Sequence, residues 1–140
     1  MMTITPPDTP LADARPRTTT FVEMIFPDQA NHYGTLYGGN ALGILGKAAF
    51  VTATRFARRA VVMAASERVE FHTPVRLGQM LELTGSVLRV GRSSMTVEVR
   101  GVAETLPGGG RSPALCGRFE MVAVDDAGRP RAIFDEGEAR

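Results

Sequence analysis

The chain has 140 residues, 44% of them hydrophobic, and its 16 Lys and Arg against 15 Asp and Glu leave a formal charge of +1. That length suits one compact domain burying roughly two-thirds of the surface its unfolded chain exposes. The balanced charge excludes general attraction to nucleic acid or membrane, so recognition of a charged ligand has to be local.

A single cysteine, Cys116, excludes an intramolecular disulfide framework and a cysteine-rich metal site, and it fits a reducing, cytoplasmic setting. With no histidine close to it along the chain, it reads as a small thiol packed in a strand rather than a nucleophile.

Residues 1–17 (MMTITPPDTPLADARPR) carry four prolines and no apolar core, so they read as a flexible arm and not as a signal or anchor. Thr18 to Phe26 is rich in β-branched and aromatic residues and stops at Pro27, which predicts a first strand. Asp28 to Gly39 is then a loop whose glycines, Gly34, Gly38 and Gly39, permit positive φ or close backbone approach.

From about Asn40 to Arg59 the spacing predicts a helix. Leu42, Leu45, Ala49 and Ala53 recur with helical period, and Ala41, Ile44, Ala48 and Val51 make most of the remaining circumference apolar, which predicts burial nearly all round. Lys47 interrupts this run, leaving it short of the roughly 20 apolar residues a bilayer crossing needs, so a soluble protein is expected. Arg55, Arg58 and Arg59 complement the negative pole of the helix.

Four strands should follow, at 60–71, 80–90, 94–105 and 114–124. Alternation is clearest where Met95, Val97 and Val99 face one way and Thr96, Glu98 and Arg100 the other. A domain over 18–126 and a short polar tail over 127–140 complete the division. One strand, a buried helix and four antiparallel strands predict an α+β domain in which a curved sheet wraps one long central helix. Open sheet edges and incomplete cover of the helix predict a homodimer at least.

Four features in order carry a resemblance: Asn31 with Gly34, the Gly38–Gly39 pair, Phe71-His72-Thr73-Pro74-Val75 with Gly78, and Gly91-Arg92-Ser93-Ser94. Between Phe21 and Val124 the chain resembles the hotdog-fold acyl-CoA thioesterases, in particular the bacterial acyl-CoA hydrolase branch. The resemblance implies hydrolysis of an acyl-CoA to a carboxylic acid and CoA in fatty acid metabolism. No cofactor is implied beyond the coenzyme A of the substrate. Assembly into tetramers or hexamers is implied as well.

Thioester hydrolysis builds negative charge on the carbonyl oxygen, and backbone N–H groups at a helix start are preorganised donors for it. The resemblance assigns that role to Gly38 and Gly39 and the orientation of water or thioester to Asn31. By residue chemistry alone Asn31 is an Asx-turn residue holding its own loop. Arg92, Ser93 and Ser94 supply the charge and hydroxyls that CoA phosphates require, in a turn the resemblance places near the nucleotide.

The chain departs from the family on the helix, where Gly46 stands at the position of the family's carboxylate, which serves as general base or nucleophile. Glycine inside a helix costs about 1 kcal/mol relative to alanine, so either close helix-to-sheet packing or room for an acyl chain has to explain it. Asp28, Glu67 and Glu70 are the substitute bases available along the chain, and by alternation Glu67 and Glu70 should face opposite sides of the sheet. His32 and His72 read as structural, and without clustered ligands at metal spacing no metal site is expected. The missing acid motivates an alternative function, a catalytically silent acyl-CoA or acyl-carrier binding protein.

Overall fold

The computed structural model describes residues 15–138. In chain order it has β1 (Thr18–Met24), a single 3-10 turn (Pro27–Gln29), α1 (Gly38–Ala57), β2 (Val61–Phe71), β3 (Met80–Val90), β4 (Ser94–Glu104) and β5 (Arg111–Ala123). The strands form one antiparallel sheet in the order β1-β3-β4-β5-β2. Chain neighbours β3, β4 and β5 pair successively, while β1 and β2 take the two edges, so α1 has to span the sheet between them.

Small residues let α1 approach the sheet. Ala41, Ala48, Ala49, Ala53 and Ala57 are buried, and they bring Leu45 against Leu81, Leu83, Val97, Val99 and Met121, all of them fully buried or nearly so. The predicted alternation in β4 holds, with Met95, Val97 and Val99 in the core. Thr96 is also buried, its hydroxyl paired with the Glu120 carboxylate.

Two expectations are corrected. The helix is not buried all round, because a five-stranded sheet covers one side only. Leu42 and Phe50 remain 48% and 47% exposed, and on neighbouring β2 Val62 and Met63 are exposed too. The helix also begins at Gly38, so both paired glycines lie in its first turn instead of in the preceding loop.

Both ends of the described chain close on the helix C-terminus. Arg15 donates to the carbonyls of Phe56 and Ala57 at 2.8 and 3.0 Å, satisfying last-turn acceptors that have no partner within the helix. Arg58 ends the helix in the left-handed conformation. The segment expected as a tail beyond residue 126 folds back: Val124 bridges Pro130, the amide of Ile133 donates to the Arg92 carbonyl, and the Ile133 side chain is fully buried. The arm expected over 1–17 lies outside the described residues except for Arg15, Pro16 and Arg17.

The helix approaches the sheet closely at Gly85. A Cβ there would overlap the hydroxyl of Thr52, which is fully buried and donates to the Ala48 carbonyl. Gly85→Ala should therefore destabilise the fold by about 1–3 kcal/mol in urea unfolding. In a Thr52→Ala background the same change should cost at least about 1 kcal/mol less, the coupling expected of residues in contact.

Candidate active site at the start of the central helix

The loop before α1 is stitched to the β2–β3 connection, and this places the helix start. Leu36 N–H donates to Val75 O at 2.7 Å and Leu77 N–H to Gly34 O at 2.9 Å. Gly34 carries a φ of 78°, the left-handed conformation for which glycine is the natural residue. Tyr37 precedes the helix in extended conformation and caps it with no side chain. The first intrahelical bond runs from Ala41 N–H to Tyr37 O, so the amides of Gly38, Gly39 and Asn40 find no acceptor among the described residues.

Of these three residues Gly38 borders a cleft of about 380 Å³ whose apolar wall is Leu36, Ala41, Phe71, Val75 and Leu115. No acidic residue sits in the first turn to satisfy the positive helix end. A helix start with unused donors beside an apolar cleft suits a group that is apolar at one end and develops negative charge at the other.

The two glycines serve different spaces. A Cβ at Gly38 would meet nothing within 4 Å, so the cleft stays open there. A Cβ at Gly39 would come within 2.7 Å of the Tyr37 ring. Gly39 lines a neighbouring groove with Asp28, Asn40 and Lys47.

Asn31 holds its own loop. Its Oδ1 accepts from the amides of Tyr33 (3.0 Å) and Thr35 (3.1 Å) and from the Thr35 hydroxyl (3.1 Å), an Asx-turn arrangement. Its Nδ2 has no partner among the described residues. His32 is exposed and stacks on Tyr33 at 3.9 Å.

The candidate bases separate. Asp28 borders the Gly39 groove at the helix start. Glu67 and Glu70 do not face opposite sides of the sheet as alternation predicts. A β-bulge containing Arg68, at φ 48°, sets Glu67 opposite Arg118 and Glu70 opposite Cys116, so three steps on β2 match two on β5 and both acids share a face. That face is the outer one, since Leu115, Gly117 and Phe119, which alternate with Cys116 and Arg118, are buried beneath the helix. Neither acid looks toward α1.

Gly46 is not there for close packing. A Cβ on it would touch only the Met63 methyl, at an ordinary 3.5 Å, so the position has room for a side chain. Nothing local in the sequence marks Met63; only the placement of β2 beside α1 reveals it.

Arg92, Ser93 and Ser94 form the β3–β4 turn, closed by Gly91 N–H to Ser94 O at 2.7 Å. Ile133 reaches Arg92, and the adjacent Phe134 packs edge-on to Phe56 near the end of α1. The turn thus lies toward the C-terminal end of a helix about 30 Å long. One chain does not bring it to the Gly38 amides.

The thioesterase superfamily profile matches residues 33–107. An uncharacterized acyl-CoA thioester hydrolase of Zymomonas mobilis is 34% identical, over 94% of this chain and 87% of that one. An acyl-CoA hydrolase structure from Agrobacterium tumefaciens superposes with a TM-score of 0.77 at 40% identity, over 90% of this chain; the match spans 48% of that chain, about half its length. A Staphylococcus aureus acyl-CoA hydrolase, solved in complex with butyryl coenzyme A and coenzyme A, is 28% identical over 83% of this chain and 71% of that one, with a TM-score of 0.78.

The Staphylococcus enzyme has also been solved with an asparagine, an aspartate and a threonine each changed to alanine. Its aspartate lies fifteen residues beyond the asparagine and its threonine seventeen beyond the aspartate, which are the spacings of Gly46 from Asn31 and of Met63 from Gly46. At those spacings this chain carries Gly46 and the apolar Met63, which adjoin one another across α1 and β2. The profile and the relatives agree over the loop, helix and strands that build the cleft: the fold is the hotdog fold, and the chain belongs to the thioesterase superfamily.

Proposed function

We propose that this protein is an acyl-CoA thioesterase, releasing a carboxylic acid and free CoA, with its reacting centre at the start of α1. The observation that carries the reading is a helix start whose Gly38 to Asn40 amides have no acceptor among the described residues, with Gly38 on an apolar cleft. Water adds to the thioester carbon, the oxygen gains negative charge facing these amides, the C–S bond breaks, and the CoA sulfur leaves and is protonated. Removing one such donor typically costs a factor of about 10² to 10³ in rate. Asn31 fits a water-orienting role through Nδ2, because its Oδ1 is already committed to the loop.

The working unit is a homo-oligomer. Leu42 and Phe50 on α1, with Met63 on edge strand β2, form an uncovered apolar face beside an open sheet edge. An acyl-CoA thioesterase of similar fold, 36% identical to this chain, is hexameric. Antiparallel pairing through this face would carry the Arg92-Ser93-Ser94 turn of one subunit toward the helix start of the other, where CoA phosphates could meet it. Residence in the cytoplasm and a place in fatty acid metabolism fit the same reading.

Gly46 and Met63 favour one second reading, a binding protein that holds acyl-CoA without hydrolysing it. Thiol release from a panel of acyl-CoAs of increasing chain length decides between them. Slow hydrolysis of at least one is expected, and Gly46→Asp, alone or with Met63→Thr, should raise kcat by about tenfold or more, toward the range a positioned base contributes. Saturable CoA binding without turnover at any chain length would overturn the enzyme reading.

Asn31→Asp keeps the Oδ1 acceptor and removes the Nδ2 donor. It should leave the melting temperature close to wild type while lowering kcat/KM by about tenfold or more, the low end for loss of a positioned polar group. An unchanged kcat/KM would remove Asn31 from the reacting centre.

A further inference from the structure

On the outer face of the sheet, away from α1, three side chains of different chemistry converge. Cys116 on β5 stands directly opposite Glu70 on β2, and His72 follows β2 with its amide bonded to Ala114 O at 2.7 Å. The Cys116 Sγ lies 3.6 Å from His72 Nε2, and that nitrogen lies 3.5 Å from Glu70 Oε2. All three donor atoms fall within 4.8 Å of one another. Residues distant along the chain, 70 and 72 against 116, are brought together by the β2–β5 pairing, which is why their spacing in sequence predicts no metal site.

We infer that Glu70, His72 and Cys116 form a binding site for a zinc-class divalent cation on the outer face of the sheet. Thiolate, imidazole and carboxylate are the three donor types zinc accepts, at about 2.3, 2.0 and 2.0–2.2 Å. A tetrahedron with those bond lengths has donor-to-donor edges of about 3.3–3.6 Å. Two of the three edges are already close to that length. The third closes by rotation of Glu70, whose side chain is half exposed and free to move. Three protein ligands leave the fourth position to water or another ligand.

The surrounding charge permits this. Arg68, Arg100 and Arg118 border the same cleft, a setting that by itself repels cations. Arg100 and Arg118 are both bound by the Glu98 carboxylate, at 2.7 and 3.2 Å. Partial burial pushes the Glu98 pKa up, but the hydrogen bonds and charges of the two guanidinium groups outweigh it and hold the carboxyl below its ordinary range, so one of their two charges is offset at neutral pH. A divalent ion bound by one thiolate and one carboxylate makes a neutral site, so the loaded site presents no net positive charge to the arginines. His72 borders this cleft and the apolar one, so a bound ion would also fix the chain at the mouth of the acyl cleft.

The inference is independent of the thioesterase reading. Because Cys116 is the only cysteine in the chain, its alkylation by a thiol reagent reports this site alone in the untagged, full-length protein. One equivalent of Zn²⁺ should slow that alkylation at least tenfold, and Co²⁺ should produce a thiolate-to-metal charge-transfer band in the near ultraviolet. The band should vanish in Cys116→Ser, and affinity should fall by about ten- to a hundredfold in His72→Ala and Glu70→Gln. An alkylation rate in the wild type that Zn²⁺ leaves unchanged would overturn the proposal even if every variant misfolded, and so would affinities unaltered by the His72 and Glu70 substitutions.

Discussion

A twenty-residue apolar helix has more surface to bury than one five-stranded sheet can cover. Ala41, Ala48, Ala49, Ala53 and Ala57 solve half of the problem by letting α1 lie close on the sheet around Leu45. The other half remains on Leu42 and Phe50, with Met63 beside them on an edge strand. Burying apolar side chains contributes roughly 1.5–3 kcal/mol each, so this face is a strong drive to association. The same one-sided cover exposes the first turn of the helix, where Gly38 meets the cleft.

In the proposed reading, function and assembly are linked through the length of the helix. The amides that suit a developing oxyanion lie at one end of α1, and the turn with an arginine and two serines lies toward the other, about 30 Å away. A ligand with a reactive thioester and distant phosphates can use both only if two subunits place opposite helix ends side by side. The helix carboxylate that the family resemblance implies has no counterpart here. Gly46 and the adjoining Met63 leave an apolar gap there, open enough for a side chain and occupied by none.

Much of this was legible in the residues. The strands read from alternation and from the glycine and proline turns at 80–90 and 94–105 stand at 80–90 and 94–104, and β4 buries the side chains its pattern assigns. What was not legible depends on pairing. The bulge at Arg68 reverses the expected facing of Glu67 and Glu70, because one extra residue in a strand undoes period-two counting from that point on. Ile133 looks like part of a polar tail and is core, since burial is decided by the return of the chain to Ala123 and Arg92. Asn31 holds its own turn through Oδ1, the reading its residue chemistry gives, and its Nδ2 has no partner among the described residues. Cys116 has no histidine near it along the chain and has one at 3.6 Å in the fold.

The central claim is that the start of α1 receives the thioester while a second subunit receives the phosphates, and a crystal structure with a non-hydrolysable acyl-CoA analogue tests it most directly. The account predicts the analogue's carbonyl oxygen within hydrogen-bond distance of the Gly38 or Gly39 amide, its acyl chain along Leu36 and Val75, and its phosphates at Arg92 to Ser94 of a neighbouring subunit. A carbonyl away from the helix start, or phosphates held by the same chain that holds the carbonyl, would contradict it.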